Sequence, residues 1–163
     1  MAVEDQVRAA QHGDPIAIDA LLTDLAPWIG RICGAIALDD GPDAMQETLI
    51  TIIKNLPTLR EPAAFRGWAR RIAVRQALRH TGHEREVLVA ELPEVTRITD
   101  LDTPVDVRAT LAALTPPQRA LLVLRDLEDL SERDAAAALG LELGTVKSGL
   151  HRAREAFKER WDG

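Results

Sequence analysis

The chain has 163 residues, 46% apolar and only 3% aromatic, with one cysteine and a formal charge of −6. That length is enough for one ordinary domain or two small ones, and the negative total argues against a general nucleic-acid coat. Cys33 allows no disulfide within the chain and gives a cysteine zinc site no support, so it reads as a small buried apolar residue.

An aliphatic, alanine-rich core suits helices better than sheets, and no stretch alternates with period two for long enough to argue a strand. The expected fold class is all-α. There is no signal peptide and no apolar run near membrane-spanning length, so a cytoplasmic chain without membrane insertion is the default.

Met1 to Gly13 reads as a short helix with Val3, Val7 and Ala10 on one side. Asp14 caps the next helix and Pro15 takes its first position. Ile18, Leu21, Leu22, Leu25, Ile29, Ile32 and Ile36 give it an apolar face, and Pro27 is expected to kink or divide it. Asp39-Asp40-Gly41-Pro42 reads as a turn, with Asp43 capping a third helix. Met45, Leu49, Ile52, Ile53 and Leu56 form the buried stripe of that helix, and Pro57 stops it. Gln46, Glu47 and Lys54 stay outside, which by itself describes an ordinary solvated face.

After a short loop with two prolines, a helix is expected from about Ala63 to His80, with Phe65, Trp68, Ala69, Ile72 and Ala73 on its buried side. The stretch from Arg60 to Arg79 holds six arginines (Arg60, Arg66, Arg70, Arg71, Arg75, Arg79) against one acid, Glu61. Like charges at spacing four destabilise an isolated helix. Either a nucleic-acid backbone or an acidic neighbour, such as the N-terminal helices, would relieve that repulsion.

Residues 81–106 lack periodicity, carry Gly82, Pro93 and Pro104 among many acids, and read as a flexible acidic linker. His80 and His83 have no further ligand cluster around them, so no metal site and no cofactor are expected.

A second unit begins near Asp106. Thr115-Pro116-Pro117-Gln118 has the form of a capping box. Ser131 with Asp134 opens another helix, which Gly140 ends. Thr145 is expected to open the last helix, where Val146, Leu150, Ala153, Phe157 and Trp161 form one apolar stripe. Lys147, Ser148, His151, Arg152 and Arg154 lie off it, with three cations and no acid from Lys147 to Arg154. Two helices joined by a tight turn, the second basic and amphipathic, describe a helix-turn-helix whose outer face suits a major groove. A helical hairpin with a solvated charged face is the plainer alternative.

The string Gly144-Thr145-Val146-Lys147-Ser148 followed by Leu150-His151-Arg152-Ala153-Arg154, with Leu114 to Gln118, Leu130-Ser131 and Leu139-Gly140, resembles region 4 of bacterial extracytoplasmic-function (ECF) sigma factors of the sigma-70 family. Asp43-Ala44-Met45-Gln46-Glu47 with its aliphatic stripe is similar to region 2.2 of the same family, and Phe65-Arg66-Gly67-Trp68 with Arg71-Ile72-Ala73 is similar to regions 2.3 and 2.4. The resemblance implies two small helical domains joined by a flexible linker. Residues 1–80 would bind core RNA polymerase and read and melt the minus-10 element, residues 81–106 would link, and residues 107–163 would read the minus-35 element through the helix-turn-helix. It assigns Asp43, Gln46 and Glu47 to polymerase binding. Arg60, Arg66, Trp68, Arg70, Arg71, Arg75 and Arg79 fall to minus-10 DNA, with the loop Leu59 to Ala64 holding a flipped base. Thr145, Lys147, Ser148, His151, Arg152 and Arg154 fall to minus-35 DNA.

The chain departs from the family pattern at Arg75, Arg79 and Gly149, which stand where an Asn, an Asp and an Arg are usual. The partners implied are core RNA polymerase, promoter DNA and, as in many members, an anti-sigma protein. The alternative is a sigma-like adaptor or decoy that binds an anti-sigma factor or polymerase without reading promoters. A dimeric repressor would leave Asp43 to His80 unexplained. An enzyme is not expected, since the four histidines are scattered and no nucleophile–base pair or phosphate loop is visible.

Overall fold

The structure, a computed structural model, describes residues 2–82 and 107–162. From residue 83 onward the expected linker, with His83, lies outside the described residues. The helices are α1 (Val3–Gln11), α2 (Pro15–Ala37), α3 (Gly41–Asn55), α4 (Phe65–His80), α5 (Val107–Ala112), α6 (Pro116–Leu122), α7 (Glu132–Leu139) and α8 (Leu143–Asp162). Short 3-10 turns at Leu38–Asp40, Leu56–Thr58 and Pro62–Ala64 link the first four, and a π-helical turn at Val123–Leu127 extends α6. No strand occurs among the described residues.

Several boundaries follow from local chemistry. The Asp14 side chain accepts from the Ile16 N–H at 3.0 Å. The Thr115 hydroxyl accepts from the Gln118 N–H at 3.3 Å while the Gln118 side chain accepts from the Thr115 N–H at 3.1 Å, so the capping box closes. The Ser131 hydroxyl accepts from the Asp134 N–H at 3.0 Å, and Gly140 ends α7 at φ +67°, a left-handed conformation that suits glycine.

Tertiary packing moves other boundaries. Pro27 does not divide α2: the helix runs unbroken through it, with Pro27 exposed and Leu25, Trp28, Ile29 and Ile32 buried around it. Burial of that face outweighs one missing backbone hydrogen bond. Asp43 is not a cap, because α3 already starts at Gly41; its carboxylate sits in the first turn, where the helix dipole favours it. The expected turn at residues 39–42 is instead split between a 3-10 turn and the start of α3. Thr145 likewise lies inside α8, whose first turn forms when the Val146 N–H donates to the Glu142 carbonyl at 3.1 Å. By hydropathy alone, Pro15–Thr58 is long and apolar enough to cross a bilayer, which corrects the reading of no such run. Leu21, Leu25, Ile29, Ile32, Ile36 and Ile52 of this stretch lie in the protein core, and the 3-10 turn at Leu38–Asp40 breaks it into two packed helices.

α2, α3 and α4 pack around Ile29, Ile32, Ile36, Ile52, Ala69, Ala73 and Ala77, with α1 laid on α2. α6, α7 and α8 pack around Leu121, Leu124, Ala135, Leu139, Val146 and Leu150. The two halves also touch: α6 packs against α2 and α4, and α7 against α4, so buried apolar residues run continuously from one to the other. Aromatic poverty explains the style of this core. Alanines at the helix crossings let backbones approach closely, and Ile and Leu fill the rest.

Candidate polymerase and nucleic-acid interfaces

The third helix divides cleanly. Ala44, Thr48 and Ile52 are buried, whereas Asp43, Gln46 and Glu47 are exposed on successive turns. Ile50 continues that outer row and is 47% exposed. The sequence reading missed it, although its spacing from Asp43, Gln46 and Glu47 completes an i, i+3, i+4, i+7 face. Beneath this face, Thr48 donates to the Ala44 carbonyl at 2.7 Å, and Cys33 Sγ lies 3.8 Å from both Thr48 Oγ1 and the Ala73 carbonyl. Burial pushes the Cys33 thiol up to about 11. The thiol therefore holds the α2–α3–α4 crossing as an inert apolar group.

The arginines of α4 separate into two sets. Arg71, Arg75 and Arg79 are exposed on successive turns, and among the described residues none of them forms an ion pair. Ala69, Ala73, Val74, Ala77 and Leu78 are buried on the other side. Trp68 is half-buried, its ring 5.9 Å from that of Phe65. Arg60 is exposed in the preceding loop. Gln11 of α1 pins that loop by donating to the Leu56 and Leu59 carbonyls at 3.1 and 2.7 Å. Nothing local in the sequence indicates this role of Gln11, because its partners lie more than forty residues away.

Arg66 and Arg70 belong to the second set. The Arg66 guanidinium stacks over the ring of Trp28, 4.2 Å from its centroid. Arg70 turns to Glu128, which follows the π-helical turn; Nε donates to Oε1 at 2.9 Å, and the two side chains are 14% and 9% exposed. The acidic neighbour of the arginine helix thus exists for Arg70, but it comes from the C-terminal half and not from the N-terminal helices. Charge patterning along the chain gave no sign of Glu128.

The outer face of α8 is as the periodicity demands. Lys147, Ser148, His151, Arg152 and Arg154 are exposed, Thr145 is half-buried, and Val146, Leu150 and Ala153 are buried. The Ser148 hydroxyl donates back to the Gly144 carbonyl at 3.1 Å, and Arg152 lies along the helix with Nε 3.4 Å from the Ser148 carbonyl. Arg154 bonds Asp126 at 2.8 Å in a pair about half exposed on both sides, which water and salt weaken. Gly149 is buried with Val146 and Ala153, so it faces the fold and not the outer surface. The stripe ends in Phe157 and Trp161, whose rings stack 5.9 Å apart at 10° where the helix leaves the core.

Comparison with known proteins matches both halves. Residues 21–86 fit the family model of sigma-70 region 2, and residues 105–157 fit that of sigma-70, region 4. The ECF RNA polymerase sigma-E factor of Haemophilus influenzae is 30% identical over 174 residues, covering 94% of this chain and 92% of that protein. The chain belongs to the ECF sigma factors of the sigma-70 family. A second such sigma factor, SigE of Mycolicibacterium smegmatis, is 31% identical over 132 residues, and the match spans about half of that longer protein, 51%. Among solved structures, CnrH in complex with the cytosolic domain of CnrY superposes with a TM-score of 0.67 at 21% identity, over 99% of this chain and 98% of that one. The sigma factor RpoE in complex with the anti-sigma factor NepR from Bartonella quintana gives 0.64 at 22% identity, over 88% and 96%. These two carry the sigma fold over both halves of the chain.

Proposed function

We propose that this sigma factor joins core RNA polymerase, reads two promoter elements and directs transcription initiation, acting by binding and not by catalysis. The exposed stretch of α8 from Lys147 to Arg154, which holds no acid, carries the reading: Lys147, Ser148, His151, Arg152 and Arg154 project from the second helix of a helix-turn-helix, where cations meet phosphates and polar groups meet base edges. Residues 107–163 would engage the minus-35 element. Residues 1–80 would engage polymerase through Asp43, Gln46 and Glu47, with Ile50 added. They would engage the minus-10 element through Arg60, Trp68, Arg71, Arg75 and Arg79, with Arg66 and Arg70 joining from the side that faces the C-terminal half. The loop from Leu59 to Ala64, held by Gln11, would receive a flipped base, whose extrusion costs a few kcal/mol that pocket contacts offset. An anti-sigma protein is a further partner, since RpoE from Bartonella quintana was captured with the anti-sigma factor NepR, and CnrH with the cytosolic domain of CnrY. The site of action is the cytoplasm.

The test is transcription with purified core polymerase, this protein and fragmented DNA of its own genome, followed by sequencing of RNA starts. Discrete new starts sharing two spaced upstream motifs are expected. Tight polymerase or anti-sigma binding with no new starts would replace this reading with the decoy.

A further inference from the structure

Glu128 stands where an anion belongs. Its Oε1 accepts from the Trp28 ring N–H at 2.8 Å and from Arg70 Nε at 2.9 Å. Arg66 and Arg70 lie over the Trp28 ring at 4.2 and 5.7 Å from its centroid. Trp28 is only 6% exposed, and its ring N–H, a donor with no accepting capacity, is satisfied by a residue one hundred positions away. The carboxylate is delivered by an unusual piece of backbone. The Glu128 N–H donates to the Val123 carbonyl at 2.8 Å in an i to i−5 turn, and Asp129 follows at φ +55°. A π-helical turn of this kind is costly and frequently marks a functional position.

We propose that Trp28, Arg66 and Arg70 form a phosphate-binding site for promoter DNA, which Glu128 of the helix-turn-helix half occupies in the free protein. An indole N–H and the Arg70 guanidinium on one oxygen anion, with the Arg66 guanidinium over the same indole ring, suit a phosphodiester as well as a carboxylate. Two of these groups sit on the arginine helix read as the minus-10 surface, so this inference rests on the proposed function and deepens it. Occupation by Glu128 couples the two halves. DNA reaches Arg70 only when the helix-turn-helix half moves off α4, and the contact between halves lowers affinity for free DNA by the fraction of molecules held closed.

The test is a salt-dependent titration of the full chain with short, mixed-sequence, fluorescein-labelled DNA, using Glu128→Gln, Arg70→Ala and the double variant. The expected result for Glu128→Gln is roughly three- to tenfold tighter binding, with a salt slope steeper by about one phosphate. Arg70→Ala should abolish that gain. Asp129→Asn removes a neighbouring charge without touching Arg70 and should not reproduce the Arg70-dependent gain. Circular dichroism checks folding, and Glu128→Asp, which shortens the side chain and leaves Trp28, Arg66 and Arg70 intact, loosens the contact if Glu128→Gln fails to fold. Unchanged or weaker DNA binding by the folded Glu128→Gln variant overturns the proposal. So does a gain that persists without Arg70, or one seen with core polymerase and not with DNA. Because the probe has no promoter sequence, wild-type transcription separates the two failures. A wild-type chain that starts no RNA sinks the sigma reading, whereas one that does, with no Arg70-dependent gain, sinks only this inference.

Discussion

Arg119 of α6 reaches across to α2, its Nε donating to the Ile36 carbonyl at 2.8 Å. The same guanidinium donates to the Leu111 and Leu114 carbonyls at 3.1 and 2.6 Å, and the residue is 5% exposed. Among the described residues its partners are backbone carbonyls and no carboxylate, and burial lowers its ordinary pKa to about 10, so it remains a cation at neutral pH. One side chain therefore ties the start of the C-terminal half to itself and to the last turn of α2. Arg119→Met keeps most of the packing but orphans the carbonyls. We expect a loss of roughly 2–3 kcal/mol, read by chemical denaturation. Small-angle scattering should also report an expanded free protein, while an unchanged particle size would mean the Ile36 bond does not hold the halves together.

The two proposed binding faces should separate by mutation. Arg152 is exposed on α8 and, among the described residues, bonds only the backbone of its own helix. Arg152→Ala should weaken promoter binding by the polymerase complex and reduce its salt slope by about one phosphate, with polymerase affinity unchanged. Asp43→Ala with Gln46→Ala should do the opposite, since both residues lie on the outer row of α3. Co-sedimentation with core polymerase and gel-shift of the assembled complex measure the two quantities independently. Equal loss of both from Arg152→Ala would undo the assignment of α8.

What the sequence made legible was local. The caps at Asp14, Thr115, Ser131 and Gly140 depend on residues within a turn or so, and their chemistry leaves little choice. The stripes of α3 and α8 follow from spacing, and so does the outward set Lys147 to Arg154. What escaped was set by packing at long range. Gln11 under the minus-10 loop, Arg119 on Ile36 and Glu128 on Trp28 join residues 48, 83 and 100 positions apart. Arg70 looks like any other member of the arginine row until α6 brings Glu128 to it. The unbroken passage of α2 through Pro27 also depends on neighbours, because α1, α3 and α4 bury the flanking side chains.

Cys33 gives a pH test of the core. Its thiol ionises at about 11 in the fold against 9.0 for a free thiol, because burial disfavours the thiolate. The folded state thus holds its proton more tightly than the unfolded state. This contribution to stability is complete below pH 9.0 and disappears as pH rises to about 11. Denaturation midpoints of the wild type should fall more steeply across that window than those of Cys33→Ala. At neutral pH, a thiol reagent should label Cys33 only as fast as the domain opens. Rapid stoichiometric labelling of the folded protein would contradict the buried position.

Two glycines near the start of α3 make contrasting demands. A Cβ on Gly41 would lie 2.8 Å from the Gly34 Cα and 3.1 Å from its N, so backbone meets backbone and neither can yield without moving a helix. A Cβ on Gly30 would meet only Met45 Sδ, at 3.1 Å, in a flexible side chain. Gly41→Ala should therefore cost roughly 1–3 kcal/mol, whereas Gly30→Ala should stay within about 1 kcal/mol, with improved helix propensity offsetting a shifted Met45. Thermal denaturation ranks the pair. The difference reaches function through α3: moving its first turn away from α2 displaces Asp43, Gln46 and Glu47 together. Gly41→Ala should thus weaken polymerase binding even at temperatures where the protein remains folded, and Gly30→Ala should not. Equal behaviour of the two variants would mean that the close α2–α3 approach does not set the position of that face.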